Sequence, residues 1–143
     1  MKQARNFGVE SLFFGGDGWN PELFGFAGDA VDGSYFIQQW DESSLLEESL
    51  RLIEDYTNSP YGEIMEINSD LPMTYDAIMV LIDAIKRAGN LEPRDIRDSL
   101  AETDNYRGAT GTIRFNENGD PLKSATILRF EKGKALFVTN VFP

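Results

Sequence analysis

The sequence of 143 residues contains no cysteine and no histidine. These absences exclude disulfide bonds, thiol nucleophiles, imidazole acid–base catalysis and zinc sites of the usual type. No apolar run approaches the roughly 18 to 20 residues that a membrane-spanning helix needs, and the first residues lack the pattern of a secretory signal. We therefore expect a soluble chain, with no export signal in this stretch.

Positive charge is also scarce. The chain has 13 lysines and arginines against 24 aspartates and glutamates, so its formal net charge is −11. A nucleic-acid backbone or an anionic membrane surface would be repelled by this charge. The hydrophobic content of 41% is ordinary for one globular domain. We expect a globular protein without a nucleic-acid partner.

Glycine is concentrated in residues 13–19, Phe-Phe-Gly-Gly-Asp-Gly-Trp, between a strand pattern and a helix pattern. In an open α/β sheet, ligands bind at the carboxyl ends of strands, which is where this loop would lie. Glycine permits a sharp turn and a close approach to a ligand, while Trp19 offers a flat apolar wall and Asp17 a negative charge. The loop predicts a site for a small cationic group, such as an ammonium, at Asp17, Gly18 and Trp19.

Two structural interpretations stay open for the same residues. Asp17 could serve only as a turn residue whose side chain bonds nearby backbone N–H groups. Trp19 could be a packing residue rather than a wall of a binding site.

The hydrophobic periodicity and the helix-capping and turn residues predict an α/β chain. The predicted helices cover about 2–7, 20–28, 43–56, 72–88 and 93–102, and the predicted strands cover 10–14, 33–40, 111–115, 125–131 and 135–140. The first two strands and the helix between them would form a parallel crossover. The last two strands would form a hairpin around Lys132 and Gly133. Residues 58–70 read as an irregular connection.

The helix over 72–88 has the strongest apolar period. Its apolar stripe consists of Tyr75, Ile78, Leu81, Ile82 and Ile85. Tyr75 is expected in the core, whereas Asp76 would face solvent or cap a neighbouring loop. Asp83 and Arg87 form a favourable pair four residues apart.

The acidic helix over 43–56 has a second apolar stripe, composed of Leu46, Leu50, Ile53 and Tyr56. Acidic residues at 41–42 and 47–48 suit the positive end of the helix dipole. We expect them to be solvated and to need no partner.

The residue types present do not indicate catalysis. No nucleophile is paired with a base, and the glycine loop lacks the Lys-Ser/Thr of a phosphate-binding loop. Asn116, Asn118 and Asp120 alternate as in a calcium loop, but the glycine is misplaced and no bidentate glutamate follows. We expect a hairpin turn there, and no enzyme activity, metal site or cofactor.

The order of motifs resembles the type I periplasmic binding proteins of branched-chain amino acid ABC transporters, the leucine/isoleucine/valine-binding group. The segments that carry the resemblance are 2–5 with Gly8, 14–19, 27–30 with Gly33, 74–77, 83–89, 108–115 and 118–121. The resemblance implies a partial type I fold, because such proteins have two lobes and are well over twice this length. By analogy, residues 1–39 and 124–143 belong to the second lobe and residues 40–123 to the first.

In that family a hinged cleft between the lobes binds the ligand. The resemblance implies that Asp17 pairs with the α-ammonium of an amino acid, whose carboxylate is held by a part of the first lobe that this sequence lacks. Asp70 stands where some relatives present an aromatic side chain, so it departs from the branched-chain pattern, and the ligand expected is a branched-chain amino acid or a related small polar one. The isolated chain is accordingly expected not to be competent for binding.

The partners implied by the resemblance are an amino acid and an ABC permease, in the periplasm or at the cell exterior. A ligand-sensing domain of a receptor or regulator with the same fold is an alternative, as is a structural fragment without ligand function. In the family the apolar stripe of residues 75–85 would pack on a sheet upstream of this sequence. Because that cover is missing, we expect self-association into a homo-oligomer, including by exchange of elements between copies.

Overall fold

A computed structural model describes residues 1–64 and 67–143. The helices are α1 (Lys2–Asn6), α2 (Leu23–Ala27), α3 (Glu47–Thr57), α4 (Asp70–Ala88) and α5 (Pro93–Ala101). The strands are β1 (Phe14–Gly15), β2 (Tyr35–Gln38), β3 (Tyr106–Gly108), β4 (Gly111–Phe115), β5 (Pro121–Leu122), β6 (Ala125–Glu131) and β7 (Lys134–Val141). Of the predicted irregular connection over 58–70, positions 65 and 66 lie outside the described residues, and position 70 already belongs to α4.

The chain folds as two compact units. Unit 1 contains residues 1–41 and 125–141, and unit 2 contains residues 42–124 with 142–143. The assignment of the segments 1–39, 40–123 and 124–143 to two lobes of a larger protein stays a prediction.

Unit 1 is built on a four-stranded sheet with the order β1-β2-β6-β7. Strands β1 and β2 are parallel, with Phe14 opposite Tyr35, and the other neighbours are antiparallel. The predicted parallel crossover is therefore confirmed. Its connection contains α2 followed by a 3₁₀ turn over Gly28–Val31.

Four apolar residues form the core of unit 1. Val31, Phe36, Leu128 and Phe130 are all at most 1% exposed. The rings of Phe36 and Phe130 stack with their centroids 4.6 Å apart, an arrangement that stabilises beyond simple burial. The sheet and α2 thus close around one small apolar cluster.

The hairpin of β6 and β7 turns at the predicted residues. Lys132 and Gly133 both have positive φ, 49° and 81°, as a two-residue hairpin turn of the I′ type requires. Strand β7 begins at Lys134, one residue earlier than predicted.

Several boundaries predicted in unit 1 are wrong, and the strand expected over 33–40 covers only Tyr35–Gln38. The strand expected over 10–14 pairs only at Phe14–Gly15. The helix expected from Asn20 begins at Leu23, because residues 20–22 form turns in which the carbonyl of Asn20 accepts a hydrogen bond from the N–H of Leu23 at 3.0 Å. The side chain of Asn20 does not cap this helix among the described residues.

Unit 2 contains α3, α4 and α5 with a three-stranded antiparallel sheet of order β3-β4-β5. Strands β3 and β5, of three and two residues, were not predicted because they are too short to show a period of two. Helix α3 begins at Glu47 rather than at 43 or 44, and it buries Ser49 and Leu52. Its predicted stripe is wrong at Leu46 and Leu50, which are 44% and 49% exposed, and Leu46 lies before the first residue of the helix.

The acidic start of α3 also has a partner, contrary to expectation. The guanidinium Nε of Arg107 on β3 lies 2.9 Å from a carboxylate oxygen of Glu48 and forms an ion pair with it. A second guanidinium nitrogen of Arg107 lies 4.0 Å from Glu47. These contacts link α3 to the hairpin of β3 and β4.

Helix α4 is the longest element, and it ends as predicted at Gly89, whose φ of 70° is left-handed. Its buried residues are Pro72, Asp76, Val80 and Ala84. Tyr75 is 39% exposed, so its predicted place in the core is wrong. The whole predicted stripe lies on the other side of the helix from the buried residues, in agreement with the expectation that this chain does not cover it.

Candidate functional site

The glycine loop forms a tight turn directly after β1. The N–H of Trp19 donates a hydrogen bond to the carbonyl of Gly16 at 3.0 Å, which places Asp17 and Gly18 at the two central positions of the turn. The turn therefore lies at the carboxyl end of a strand in the sheet of unit 1, as the sequence predicted.

The three glycines of this loop have different roles. A Cβ atom on Gly15 would lie 2.0 Å from a ring carbon of Trp19, so only glycine fits under the indole. At Gly16 and Gly18 an added Cβ would meet nothing within 4 Å, and neither has positive φ. The sequence predicted that all three glycines allow the sharp turn. The structure requires glycine only at Gly15, where the indole of Trp19 leaves no room for a side chain.

Trp19 is a packing residue of unit 1. Its half-buried side chain contacts the apolar core as well as Gly15. Its carbonyl oxygen accepts a hydrogen bond of 3.0 Å from the side-chain Nε2 of Gln38. These contacts hold the turn against the sheet and fix where Asp17 is presented.

Asp17 itself is exposed. Within residues 1–64 and 67–143 its carboxylate makes no hydrogen bond and no ion pair, so the bonding to nearby backbone N–H groups that the structural interpretation requires is not observed. The carboxylate is presented to solvent on a turn whose position is set by Trp19. Such a group can accept hydrogen bonds from an ammonium ion.

Asp70 lies in unit 2, at the first residue of α4 rather than before the helix. The side-chain oxygen of Asn68 accepts hydrogen bonds from the N–H groups of Asp70 and Leu71 at 3.1 and 3.3 Å. The exposed carboxylate of Asp70 has no partner in the part of the chain that the structure describes. The positive end of the helix dipole stabilises the negative charge of Asp70. The four predicted site residues thus fall into two groups, 17–19 in unit 1 and 70 in unit 2.

A buried carboxylate that the sequence did not single out as functional lies at the centre of unit 2. Asp76 is 2% exposed. Its Oδ1 accepts a hydrogen bond from the N–H of Ala109 at 2.7 Å, and its Oδ2 accepts bonds from the N–H and hydroxyl of Thr110 at 2.8 and 2.6 Å. Of the two sequence alternatives for Asp76, solvent or a cap to a neighbouring loop, the second is confirmed.

The loop bound by Asp76 depends on glycine. A Cβ atom on Gly108 would lie 2.6 Å from the carboxylate, which is too close for any other residue. The motifs at 74–77 and 108–111, which are distant in sequence, are therefore parts of one contact. No local pattern connects the two motifs, which are 33 residues apart at Asp76 and Ala109, so the sequence offered no signal for this contact.

Lys123 and Tyr106 complete this polar cluster. The Nζ of Lys123 contacts the hydroxyl of Thr110. Burial lowers the pKa of Lys123, and the negative charge of Asp76 partly offsets that effect. Burial raises the pKa of Tyr106, with smaller contributions from Asp76, Asp83 and Tyr75. The carboxylate of Asp76 accepts three hydrogen bonds from the β3–β4 turn, so its role is structural.

The alternation at 116–120 forms a hairpin turn, as predicted. The side-chain oxygen of Asn116 accepts hydrogen bonds from the N–H groups of Asn118 and Asp120, both at 2.9 Å. Among the described residues, no group of three or more acidic side chains is placed to hold a metal ion. In the same residues, no helix is long and apolar enough to cross a membrane.

The chain is similar to proteins of a known family. A family described as periplasmic binding protein matches residues 1–135. A curated relative, the Leu/Ile/Val-binding protein homolog 1 of Brucella abortus (strain 2308), is 26% identical over 137 residues, which cover 93% of this chain and 35% of that protein. The chain therefore spans about a third of the length of the curated relatives that it matches.

Two solved structures of binding proteins are also similar to this chain. The leucine binding protein LivK of Thermotoga maritima MSB8 is 33% identical and superposes with a TM-score of 0.86 over 99% of this chain and 40% of its own. The branched-chain amino acid transporter substrate binding protein LivJ of Streptococcus pneumoniae, solved in complex with isoleucine, is 26% identical with a TM-score of 0.75, again over 99% and 40%. All three are named as binding proteins, one of them as that of a transporter, and none is named as an enzyme.

Proposed function

The chain belongs to the periplasmic binding protein family, with part of the type I fold of that family, and from this premise we propose that it is an amino-acid-binding segment of an ABC importer's substrate-binding subunit. The observation that carries the proposal is the turn at Gly16–Trp19. It presents an exposed carboxylate without a partner in the described chain, at the carboxyl end of a strand. That arrangement suits the α-ammonium of an amino acid.

The ligand class follows from the same residues. Asp17 supplies the counter-charge for an ammonium, Gly18 leaves open space beside it, and Trp19 sets the position of the turn. Relatives named for leucine or crystallised with isoleucine support an amino acid as ligand. A role of Asp70, in unit 2, in the choice between an aliphatic and a small polar amino acid stays a prediction.

The chain alone binds weakly in this proposal. Charge-assisted contacts are strong where water is excluded, but an exposed carboxylate is screened. Asp17 is exposed, so an ammonium on it gains little free energy. If a further part of the protein excluded water from Asp17, loss of its contact with the ammonium would cost about 2–5 kcal/mol of binding free energy.

The partner proposed for the whole protein is an ABC permease, and the proposed place is the periplasm or the cell exterior. Transport is favoured over ligand sensing because one matched relative, the LivJ protein of Streptococcus pneumoniae, is named for a transporter. A pre-placed counter-charge and hydrogen-bonding groups are sufficient for delivery of a ligand, and no reaction is needed.

The proposal is tested by following backbone amide resonances during titration with a panel of amino acids. Amides of the turn at 16–19 are expected to shift, with dissociation constants in the range of about a millimolar or weaker, the affinity class near −4 kcal/mol. Asp17→Asn should weaken binding about two- to fivefold, and added salt should reduce that difference, since the contact is exposed.

Two controls identify the interaction. The α-hydroxy analogue of each ligand keeps the carboxylate and side chain but lacks the ammonium, so it should not shift the turn. Glu22→Gln removes an equal charge close in sequence, outside the turn, and should leave affinity unchanged. Equal shifts with the hydroxy analogue, or unchanged affinity in Asp17→Asn, would show that Asp17 does not bind the ammonium.

A further inference from the structure

The backbone ladder between β1 and β2 stops just before the turn at 16–19. The two parallel strands pair at Phe14 with Tyr35 and at Gly15 with Phe36. Two further steps in this register would bring position 17 opposite position 38. The chain instead leaves the sheet at Gly16 and forms the turn that ends at Trp19. Asp17 therefore lies beyond the backbone ladder that fixes β1.

The side chain of Gln38 makes a connection at the point where the ladder ends. Gln38 is the last residue of β2 and is only 6% exposed. Its Nε2 donates a hydrogen bond of 3.0 Å to the carbonyl oxygen of Trp19. A buried amide group is stable only when it is hydrogen-bonded, so this bond is the expected state of the side chain. The last residue of the turn is thereby tied to the neighbouring strand.

Gln38 stands on the core face of the sheet, where apolar residues would otherwise be expected. Side chains two residues apart on a strand share a face, so Gln38 lies on the face of Phe36. Phe36 packs there with Leu128 and Phe130. An apolar side chain at position 38 would also be buried, but only a donor can bind the carbonyl of the turn. The residue type thus favours a role for the amide group rather than for burial alone.

We infer that Gln38 is a positioning residue for the ammonium site, an inference that rests on the proposed role of Asp17. The amide of Gln38 holds the turn in one conformation and so raises the affinity for the ligand without touching it. Asp17 is a central residue of the turn and Trp19 is its last, so a bond at Trp19 limits where the carboxylate can point. A turn that is already ordered loses less conformational entropy when a ligand binds.

Backbone ¹⁵N relaxation of the ligand-free chain tests whether Gln38 orders the turn. Gln38→Met keeps the length of the side chain but cannot donate a hydrogen bond. Order parameters of the amides at 17–19 should fall from about 0.85, typical of a rigid backbone, towards about 0.6. Unchanged far-UV dichroism shows that the variant folds.

Thr126→Val is the matched control for Gln38→Met. Thr126 lies directly opposite Gln38 on β6, is 8% exposed, and its hydroxyl donates a hydrogen bond of 3.0 Å to the side-chain oxygen of Asn140. The control therefore loses one hydrogen bond beside Gln38 that does not involve the turn. Its turn should stay as rigid as that of the wild type.

Titration with leucine and with serine tests the effect on binding. Gln38→Met should weaken binding about two- to threefold when Asp17 is present. It should leave the affinity unchanged in the Asp17→Asn background, because Gln38 acts through Asp17 and the two effects are then not additive. An equal loss in both backgrounds would overturn the inference, since a general structural effect would not depend on Asp17.

A side-chain signal of the wild type provides a test that needs no variant. One Nε2 proton of Gln38 should exchange slowly with solvent, because it is bonded to the carbonyl of Trp19. Rapid exchange of both protons, a turn that stays rigid in Gln38→Met, or a turn that becomes equally mobile in Thr126→Val would overturn the inference. If neither amino acid binds the wild type, the proposed function fails, whereas the order parameters still decide whether Gln38 positions the turn.

Discussion

The two units of this chain are held together by different interactions. Unit 1 closes on the apolar cluster of Val31, Phe36, Leu128 and Phe130. Unit 2 buries polar side chains at its helix contacts, with Asp76 on the β3–β4 turn and Arg87 on Ser99 and Thr103. Its most apolar helix face is meanwhile exposed.

The difference shows that contacts on one side of a helix are sufficient to fix its orientation. An apolar cluster such as that of unit 1 gains free energy from burial and needs no exact partner for each atom. The polar contacts of unit 2 are directional, so they fix α4 at one rotation about its axis. That rotation places the apolar stripe of α4, from Tyr75 to Ile85, on the side away from the buried residues of the helix.

The largest effect is expected from Phe130→Ala in unit 1. It removes a fully buried ring that stacks on Phe36, and should lower the free energy of unfolding of unit 1 by about 3–5 kcal/mol. Both tryptophans lie in unit 1, so urea unfolding followed by tryptophan fluorescence reports on it. Phe26→Ala, at a side chain 77% exposed, is the control and should change the free energy by less than about 0.5 kcal/mol.

Asp76→Asn should have the next largest effect, in unit 2. An amide group cannot accept all the hydrogen bonds from Ala109 and Thr110, and the unmatched donors should cost about 2–3 kcal/mol. Far-UV dichroism reports mainly on unit 2, which contains the three longest helices.

The control for Asp76→Asn is Asp83→Asn, which removes the same charge on the same helix from a partly exposed ion pair. It should cost about 0.3–0.5 kcal/mol. If fluorescence and dichroism shift together in both Phe130→Ala and Asp76→Asn, the units unfold as one and the contrast between them does not hold for stability.

The smallest effect is a dependence of stability on alkaline pH. The folded pKa of Lys123 is below its ordinary value of 10.5 because of burial, so between the two values the unfolded chain binds more protons. Stability of the wild type relative to Lys123→Met should therefore rise with pH up to about 10.5. Thermal unfolding in a series of buffers between about pH 8 and 11 measures this difference.

Tyr106→Phe is the companion variant, and the expected sign is opposite. The folded pKa of Tyr106 is above its ordinary value of 10.0, so stability is lost as pH rises from 10.0 towards the folded pKa. The wild type should lose stability relative to Tyr106→Phe over that range. A flat difference for both variants would show that the cluster around Asp76 does not perturb either group.

Much of unit 1 could be predicted without coordinates. The crossover of β1 and β2 and the turn at Lys132–Gly133 depend on local patterns that the tertiary structure does not override. The left-handed Gly89 and the start of α5 at Pro93 in unit 2 are of the same kind. The errors in unit 1 are displaced boundaries, as at Asn20, where a turn forms instead of the start of the helix.

The buried side of α4 could not be predicted in this way. Periodicity assigns the apolar side of a helix to the core, yet here the side with Asp76 is buried because Ala109 and Thr110 supply its hydrogen bonds. Those donors lie more than thirty residues away in sequence. No local pattern contains that information.

The candidate site also has some features that the sequence determines and others that only the folded chain determines. Composition and motif order alone exclude thiol and imidazole chemistry, place Asp17 after a strand and identify the family, because these are properties of residue types and their sequence order. Only the folded chain decides that Gly15 is required by the indole of Trp19, that Asp17 has no internal partner and that Asp76 is buried. The burial of Asp76 depends on hydrogen bonds from residues distant in sequence, and the other two outcomes depend on how the turn packs against the sheet, so their free energies are set only once the chain has folded.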